Sequence, residues 1–207
     1  MLRILGRANS FNVRKVLWLC GELGIPFERE DWGRGYRPTD DAQFLALNPI
    51  GLVPAVVDDG KILRESNTIV RYLATKHGPD EIYPRDPYKR ANVEQWMDWA
   101  NYETSISLRG AFLGGQLNEP PWNNPWFVEQ GRRQIAKEVG QLNAHFADSR
   151  PYAIRTTFTI GDIPIGLVVN RWFSMTFERP DYPHVARYYE RLSERPAYLR
   201  YVRNGMP

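Results

Sequence analysis

The apolar positions in the N-terminal part of the chain follow two different periods in turn. Short apolar runs of strand type, each bounded by turn residues, occupy 2–6, 25–29, 53–57 and 61–63. Between and after these runs, apolar residues recur at helical spacing in 13–23, 44–47 and 69–73. The pattern therefore predicts the order strand, helix, strand, helix, strand, strand, helix.

Turn and capping residues indicate where these elements end. Gly24 and Gly78 follow the first and the last helix and are typical stop signals. The acidic turn at 58–60 joins the last two strands as a hairpin, and Ser66 can cap the helix that follows. A parallel unit followed by an antiparallel hairpin and a packing helix is the connectivity of the thioredoxin-like fold.

The composition changes at 78–87, where proline, glycine and acidic residues predict a linker. No hairpin signal follows this segment. Helices are predicted at 90–112, 127–146, 159–173 and 184–192, with a Pro- and Asn-rich loop at 114–125 and an irregular tail. We therefore expect an α/β thioredoxin-like domain over 1–79, a linker over 80–88 and an all-α helical domain over 89–207.

A capping box predicts the start of one buried helix in the second domain. The hydroxyl of Thr159 can accept from the amide of Asp162, while the carboxylate of Asp162 reaches back to Thr159. Phe158 and Ile163 occupy the positions of a hydrophobic staple around this box. The helix is expected to begin here.

Composition and charge narrow the class of protein. The 207 residues, 43% hydrophobic and 25% charged, predict a soluble globular protein. The first apolar run is too short for a signal peptide, and no stretch approaches the ~18 apolar residues of a membrane span. The 27 basic and 24 acidic residues are interspersed, with a net charge of +3. We therefore expect a cytoplasmic protein that binds neither membranes nor nucleic acid.

The cysteine content restricts any sulfur chemistry. Cys20 is the only cysteine, so an internal disulfide, a Cys-x-x-Cys pair and a cysteine-based zinc site are excluded. Cys20 shares the apolar face of the first helix and is interpreted as a buried structural residue. A reacting thiol must therefore come from outside the chain.

Three segments of the N-terminal part, RANSFNVRKV (7–16), NPIGLVPA (48–55) and RESNTI (64–69), carry a resemblance to a known family. They resemble three consecutive signatures of the cytosolic glutathione transferases, of the bacterial serine/asparagine type similar to the theta and nu classes. The capping box at Thr159 resembles a fourth signature. The resemblance implies glutathione as co-substrate, no permanently bound cofactor, no metal and a twofold homodimer.

The resemblance also implies which residues hold glutathione. Val53 and Pro54 resemble the cis-proline step of the family, beside which an extended peptide can pair as an added strand. Ser66, at a helix start, would hold the γ-glutamyl carboxylate, and Glu65 would meet the neighbouring ammonium. Arg37 could reach the glycyl carboxylate, as could two other arginines, Arg7 and Arg34.

Ser10 and Asn12 lie between the first strand and the first helix, where donors can converge on a sulfur atom. A thiol of pKa about 8.5 is only a few per cent thiolate at neutral pH, so a donor that stabilises the thiolate would activate it. Ser10 matches the serine-type position of the family. Asn12 matches the asparagine of relatives with a Thr-Pro-Asn sequence, so either residue can be the donor.

The second substrate is expected to be a small apolar electrophile, in a site lined by aromatic residues. Phe112, Trp122 and Trp172 are candidates for one wall, since small-molecule sites often lie between domains. The leading interpretation is transfer of glutathione to that electrophile. The alternatives are glutathione-dependent disulfide reduction and a non-catalytic binding or scaffold module.

Overall fold

The computed structural model describes residues 1–154 and 156–205. Their contacts form two compact units, one comprising Met1–Tyr83 with the segment that begins at Ala197, and one comprising Pro84–Pro196. The units separate within the linker region expected at 80–88. The segment from Ala197 groups with the first unit, whereas the sequence had suggested that everything beyond 89 belongs to the second domain.

The first unit is built on a four-stranded sheet of order β2-β1-β3-β4. The strands are β1 (Leu2–Leu5), β2 (Phe27–Glu30), β3 (Ala55–Asp58) and β4 (Lys61–Arg64). Strands β1 and β2 are parallel, and the other two pairs are antiparallel. The helices of this part of the chain are α1 (Phe11–Leu23), α2 (Ala42–Leu45) and α3 (Ser66–His77). The predicted thioredoxin-like connectivity is confirmed.

Helix α1 is buried on all its sides in the first unit, since every residue from 13 to 20 is buried. Near its C-terminal end, a methyl group on Gly21 would lie 2.7 Å from the Tyr201 ring. Glycine therefore permits close packing of the C-terminal helix. That helix spans Pro196–Tyr201, where the sequence had predicted an irregular tail, so this prediction was wrong. The centroid of its Tyr198 ring lies 4.8 Å from that of the Trp18 ring. Tertiary packing stabilises this short helix, which local sequence did not predict.

The second unit is helical, as predicted. It contains α4 (Pro87–Leu108), a π-helix (Arg109–Gln116), α5 (Pro125–His145), α6 (Asp162–Ser174) and α7 (Pro183–Ser193), followed by α8 (Pro196–Tyr201) of the C-terminal segment. None of the helices among the described residues is both long and apolar enough to cross a membrane.

The predicted start of the loop at residue 114 was wrong, because the π-helix continues to Gln116 and the loop begins after it. Close packing against α5 accounts for its glycines. A methyl group on Gly110 would lie 2.6 Å from the carbonyl oxygen of Phe127, and one on Gly131 would lie 2.6 Å from the amide of Ala111. Only residues without a side chain allow the two backbones to approach so closely.

The capping box before α6 forms, but one of its two hydrogen bonds differs from the prediction. The carboxylate of Asp162 accepts from the amide of Thr159 at 2.9 Å, as predicted. The Thr159 hydroxyl does not accept from the Asp162 amide, which instead donates to the Thr159 carbonyl at 3.0 Å. The hydroxyl donates to the same carboxylate at 3.2 Å, because a buried carboxylate accepts several donors.

Candidate active site

One row of residues crosses the sheet where its strands begin or end. The side of the sheet beyond this row, where the sequence motifs meet, is called the sheet edge here. Glu30 of β2, Leu5 of β1, Ala55 of β3 and Arg64 of β4 are successive partners in the strand register. Strands β1, β2 and β4 end at this row, and β3 begins there. The segments 6–10, 31–37, 53–54 and 65–66 therefore lie at the same edge of the sheet.

The backbone at Val53 forms one side of this edge. The Val53–Pro54 peptide bond is cis, as the family resemblance implies. A methyl group on Gly6, whose φ is 155°, would lie 3.2 Å from the Val53 Cβ atom, so the loop after β1 passes directly beside Val53. Outside the regular elements, no hydrogen bond of the described residues uses the Val53 amide or carbonyl. Such backbone groups can pair with an added extended peptide.

Ser10 is the N-cap residue of α1, yet its hydroxyl caps nothing. Its amide donates to the Arg7 carbonyl at 3.1 Å, and its carbonyl accepts from the Arg14 amide at 2.9 Å. The side chain is 7% exposed and makes no capping hydrogen bond. Within the described part of the chain, the hydroxyl thus remains available as a donor at the positive end of a 13-residue helix.

Asn12 lies on the exposed side of the first turn of α1, and its side chain is linked to α3. The Ser66 hydroxyl donates to the Asn12 Oδ1 atom at 3.3 Å, although 54 residues separate the two in sequence. Because Oδ1 is the acceptor, the Asn12 amide nitrogen can donate elsewhere. The fold thus brings Asn12 to Ser66, and no hydrogen bond between the described residues links it to Ser10.

The start of α3 lies at the same edge. Ser66 is the first residue of this 12-residue helix and is 7% exposed. Glu65 is the N-cap, with a φ of 64° and an exposed side chain that makes no capping hydrogen bond. A helix start with its positive dipole end and a nearby hydroxyl group can bind a carboxylate.

Lys15 is a member of this cluster that the sequence analysis did not find. Its side chain is 1% exposed, and its Nζ atom donates to the Ser66 hydroxyl at 3.4 Å. Burial lowers the pKa of Lys15 to about 7, and the charge of Glu65 opposes that shift. The run of apolar residues at 16–20 was the available signal, because a helix that is apolar on all sides also buries its polar positions.

The arginines considered for the glycyl carboxylate have partners on the protein surface. The Arg37 guanidinium lies 3.7 Å from the centroid of the Trp32 ring and donates to Gln43 at 2.7 Å. Arg7 donates to the Asn9 side chain at 2.9 Å. A methyl group on Gly33 would lie 3.8 Å from the Arg7 Nε atom and 3.7 Å from the Val53 side chain, so Arg7 and Val53 flank the same glycine. Arg34 is exposed.

The aromatic candidates for the second substrate occupy different environments within the helical unit. Phe112 is 3% exposed, and the Arg171 guanidinium lies 3.8 Å from its ring centroid. Trp172 is 1% exposed and stacks against Tyr182. Trp122 is half-buried beside Phe127.

A cavity of about 450 Å³ lies elsewhere in this unit, between α4 and α5. It is lined by other residues, among them Ile106, Trp126 and Gln134. It therefore does not unite the three aromatic candidates.

The described residues offer neither a reactive thiol nor a group of side chains placed to hold a metal ion. Cys20 is 1% exposed, and burial raises its pKa to about 12, so its thiolate is not formed at neutral pH. No group of three or more histidine, cysteine, aspartate or glutamate side chains within 1–154 and 156–205 is placed to hold a metal ion. The polar cluster at the sheet edge is therefore the candidate site.

Comparison with known proteins decides the family. The family profile described as "Glutathione S-transferase, N-terminal domain" matches residues 5–81, which include every segment at the sheet edge. The protein named glutathione S-transferase GstB of Escherichia coli (strain K12) is 36% identical over 204 residues, which cover 98% of each chain. This chain belongs to the glutathione transferase family.

Other members of the family share the whole fold. The theta class glutathione S-transferase from Xanthomonas axonopodis pv. citri, solved with glutathione bound, superposes with a TM-score of 0.92 at 36% identity. The match covers 100% of this chain and 99% of that one. Glutathione S-transferase 3 of Zea mays is 29% identical over 220 residues, covering 97% of this chain and 93% of its own. The family resemblance predicted from the sequence motifs is confirmed.

Proposed function

We propose that this glutathione transferase family member conjugates glutathione to small apolar electrophiles, with the thiolate stabilised at the start of α1. The observation that carries the proposal is the Ser10 hydroxyl. It lies at a helix N-terminus, is nearly buried and has no hydrogen-bond partner among the described residues. A reacting sulfur supplied by glutathione would give this hydroxyl its acceptor.

The edge of the sheet suggests how the tripeptide binds. Its cysteinyl residue pairs with the Val53 backbone, beside Pro54, as a short added strand. The γ-glutamyl carboxylate meets Ser66 and the first amides of α3, and Glu65 meets the ammonium beside it. Arg37 is assigned to the glycyl carboxylate. The shared edge supports this arrangement, since all these segments lie beyond the same row of strand residues.

Magnitudes indicate what thiolate stabilisation can contribute. Lowering a thiol pKa from about 8.5 by about two units requires about 2.7 kcal/mol. One hydrogen bond to a charged group, about 1.5 to 3 kcal/mol, and a helix-terminus contribution of about 0.3 to 1 kcal/mol are sufficient. A less basic thiolate is also a weaker nucleophile, with a Brønsted slope of about 0.4 to 0.5.

The net gain from thiolate stabilisation is therefore only a few-fold. Most of the rate acceleration comes from holding the thiolate against the electrophile. We assign Phe112, Trp122 and Trp172 to the apolar side of that second site. No permanently bound cofactor is required, because glutathione brings the reactive atom.

A paired assay tests the function. We expect the protein with glutathione to consume a chlorinated nitrobenzene faster than the uncatalysed reaction, whereas a small disulfide is reduced slowly or not at all. The reverse preference would assign the protein to glutathione-dependent disulfide reduction. Failure to bind a glutathione resin would contradict both activities and favour a non-catalytic binding or scaffold module.

A further inference from the structure

Lys15 is an unusual residue for the position it occupies. Asp162, a buried carboxyl group of the second unit, accepts hydrogen bonds from Ala153, Thr159 and Tyr188. Lys15 is buried to the same degree but makes, among the described residues, a single hydrogen bond of 3.4 Å. An ammonium group has three N–H donors, so most of its donor capacity is unused. A buried charge with so few partners is costly and calls for a further role.

The one partner of Lys15 points to that role. The Ser66 hydroxyl accepts the hydrogen bond from Lys15 and donates its own to the Asn12 Oδ1 atom at 3.3 Å. A charged ammonium can only donate, so the Ser66 hydroxyl must then direct its proton away from Lys15. An uncharged amine has a lone pair that can accept this proton. When Lys15 is charged, the Ser66 hydroxyl can therefore donate only to other groups, such as a bound ligand.

We propose that Lys15 is a positioning residue of the glutathione site, which holds the Ser66 hydroxyl as a donor and takes up a proton from solvent when the γ-glutamyl carboxylate binds. The inference rests on the proposed function, since Ser66 is the residue assigned to that carboxylate. The step is a protonation of the Lys15 amine to its ammonium form, and no covalent bond to the ligand is made.

The groups around Lys15 support an equilibrium near neutral pH. Burial lowers the pKa of Lys15 to about 7, and Glu65 at the start of α3 is the charged group that raises it. On its own helix, the ring of Phe11 lies 5.3 Å from Nζ, and the neighbouring Arg14 donates to the Ala8 carbonyl instead. A free site at neutral pH is therefore a mixture of charged and uncharged Lys15.

The sign of the linkage follows from the added charge. In the proposed arrangement the ligand carboxylate meets Ser66, the hydrogen-bond partner of Lys15, whereas the ligand ammonium meets Glu65. The nearer carboxylate favours the ammonium form of Lys15 and raises its pKa. Between the pKa values of the free and the bound site, binding must take up protons. Glutathione affinity should therefore fall as the pH rises above about 7 and reach a plateau where Lys15 is uncharged in both states.

Titration calorimetry with S-methylglutathione measures this uptake without interference from the thiol, because its sulfur carries no ionisable proton. Heats at about pH 7.5 in two buffers of different ionisation enthalpy give the number of protons exchanged. We expect the unaltered protein to take up roughly half a proton, and Lys15→Met to take up close to none. Lys61→Met, at an exposed lysine of β4, is the matched control and should behave as the unaltered protein.

The pH profile separates positioning from a merely structural role. At about pH 6.5, Lys15→Met should bind S-methylglutathione roughly threefold to tenfold more weakly, and the difference should vanish at about pH 9. Proton uptake on binding should disappear below about pH 6 in the unaltered protein, because Lys15 is already charged there. This measurement needs no variant, so it tests the inference even if Lys15→Met misfolds.

Binding with no proton uptake, or with the same uptake in Lys15→Met, would overturn the role of Lys15 while leaving the proposed function intact. Absence of any binding heat would instead overturn the proposed function itself.

Discussion

At the scale of single residues, Ser10 differs from three other residues that precede helices in the same chain and have suitable capping side chains. Asp41, Asp86 and Asn124 each precede a helix and use the side chain to accept from its first amides. Ser10 has an equally suitable hydroxyl and the extended backbone of a cap, but the bond is not made. The unused hydroxyl therefore favours a ligand over helix capping as its partner.

Replacing Ser10 separates these two roles. Ser10→Ala should raise the pKa of bound glutathione, seen as loss of thiolate absorbance near neutral pH, because a donor to the sulfur is removed. Thermal stability should barely change. Asn124→Ala is the control, since it removes a cap that is made and should cost about 0.5 to 2 kcal/mol of unfolding free energy. An unchanged thiolate titration in Ser10→Ala would transfer the role to Asn12 or to backbone amides.

At the scale of elements, the contact between the π-helix and α5 depends on glycine. A methyl group on Gly131 would lie 2.6 Å from the Ala111 amide, 2.8 Å from the Gly110 Cα atom and 2.8 Å from the Ser107 carbonyl. These three groups belong to the backbone and cannot turn aside as a side chain would. The local pattern of the sequence predicted a loop near residue 114, but packing against α5 extends the helical structure to Gln116.

Gly131→Ala tests how closely these elements must pack. Alanine favours a helix over glycine by about 1 kcal/mol, but it would force two backbones apart, and overpacking costs about 1 to 3 kcal/mol. We expect a net loss of unfolding free energy, measured by urea denaturation. Gln141→Ala, at an exposed position of the same helix, should change stability little. Equal or greater stability of Gly131→Ala would contradict the close approach.

At the scale of the whole molecule, the chain divides into two units, and the C-terminal segment belongs to the first. The ring of Tyr198 packs against that of Trp18, so residues at the two ends of the sequence share one core. This long-range contact lies outside the reach of local patterns. It also explains why the last helix was expected to be an irregular tail.

Family membership leads us to expect a twofold homodimer. Sedimentation velocity at micromolar concentration should give twice the chain mass of 24.1 kDa. A single species of chain mass at every concentration would contradict the expectation.

Much of the fold and the identity of the main motifs were predictable because they depend on neighbours in sequence. Strand and helix periods, the hairpin turn before Lys61 and the start of α6 at Asp162 are set within a few residues by backbone preferences and local hydrogen bonds. The cis geometry of the Val53–Pro54 bond was implied by the family resemblance and not by local preference, because an X-Pro bond taken alone favours trans by about 0.5 to 1 kcal/mol. The sequence by itself therefore determined the order of elements and the segments that meet at the sheet edge.

Only the tertiary structure decided how the polar groups of that edge are connected. The burial of Lys15 requires the sheet and α3 around α1, and its hydrogen bond to Ser66 spans 51 residues. The pairing of Asn12 with Ser66 and the unused hydroxyl of Ser10 likewise depend on side-chain directions that no local pattern specifies. Hydrogen-bond partners and charge states are decided by distance and solvent access, which exist only once the chain has folded.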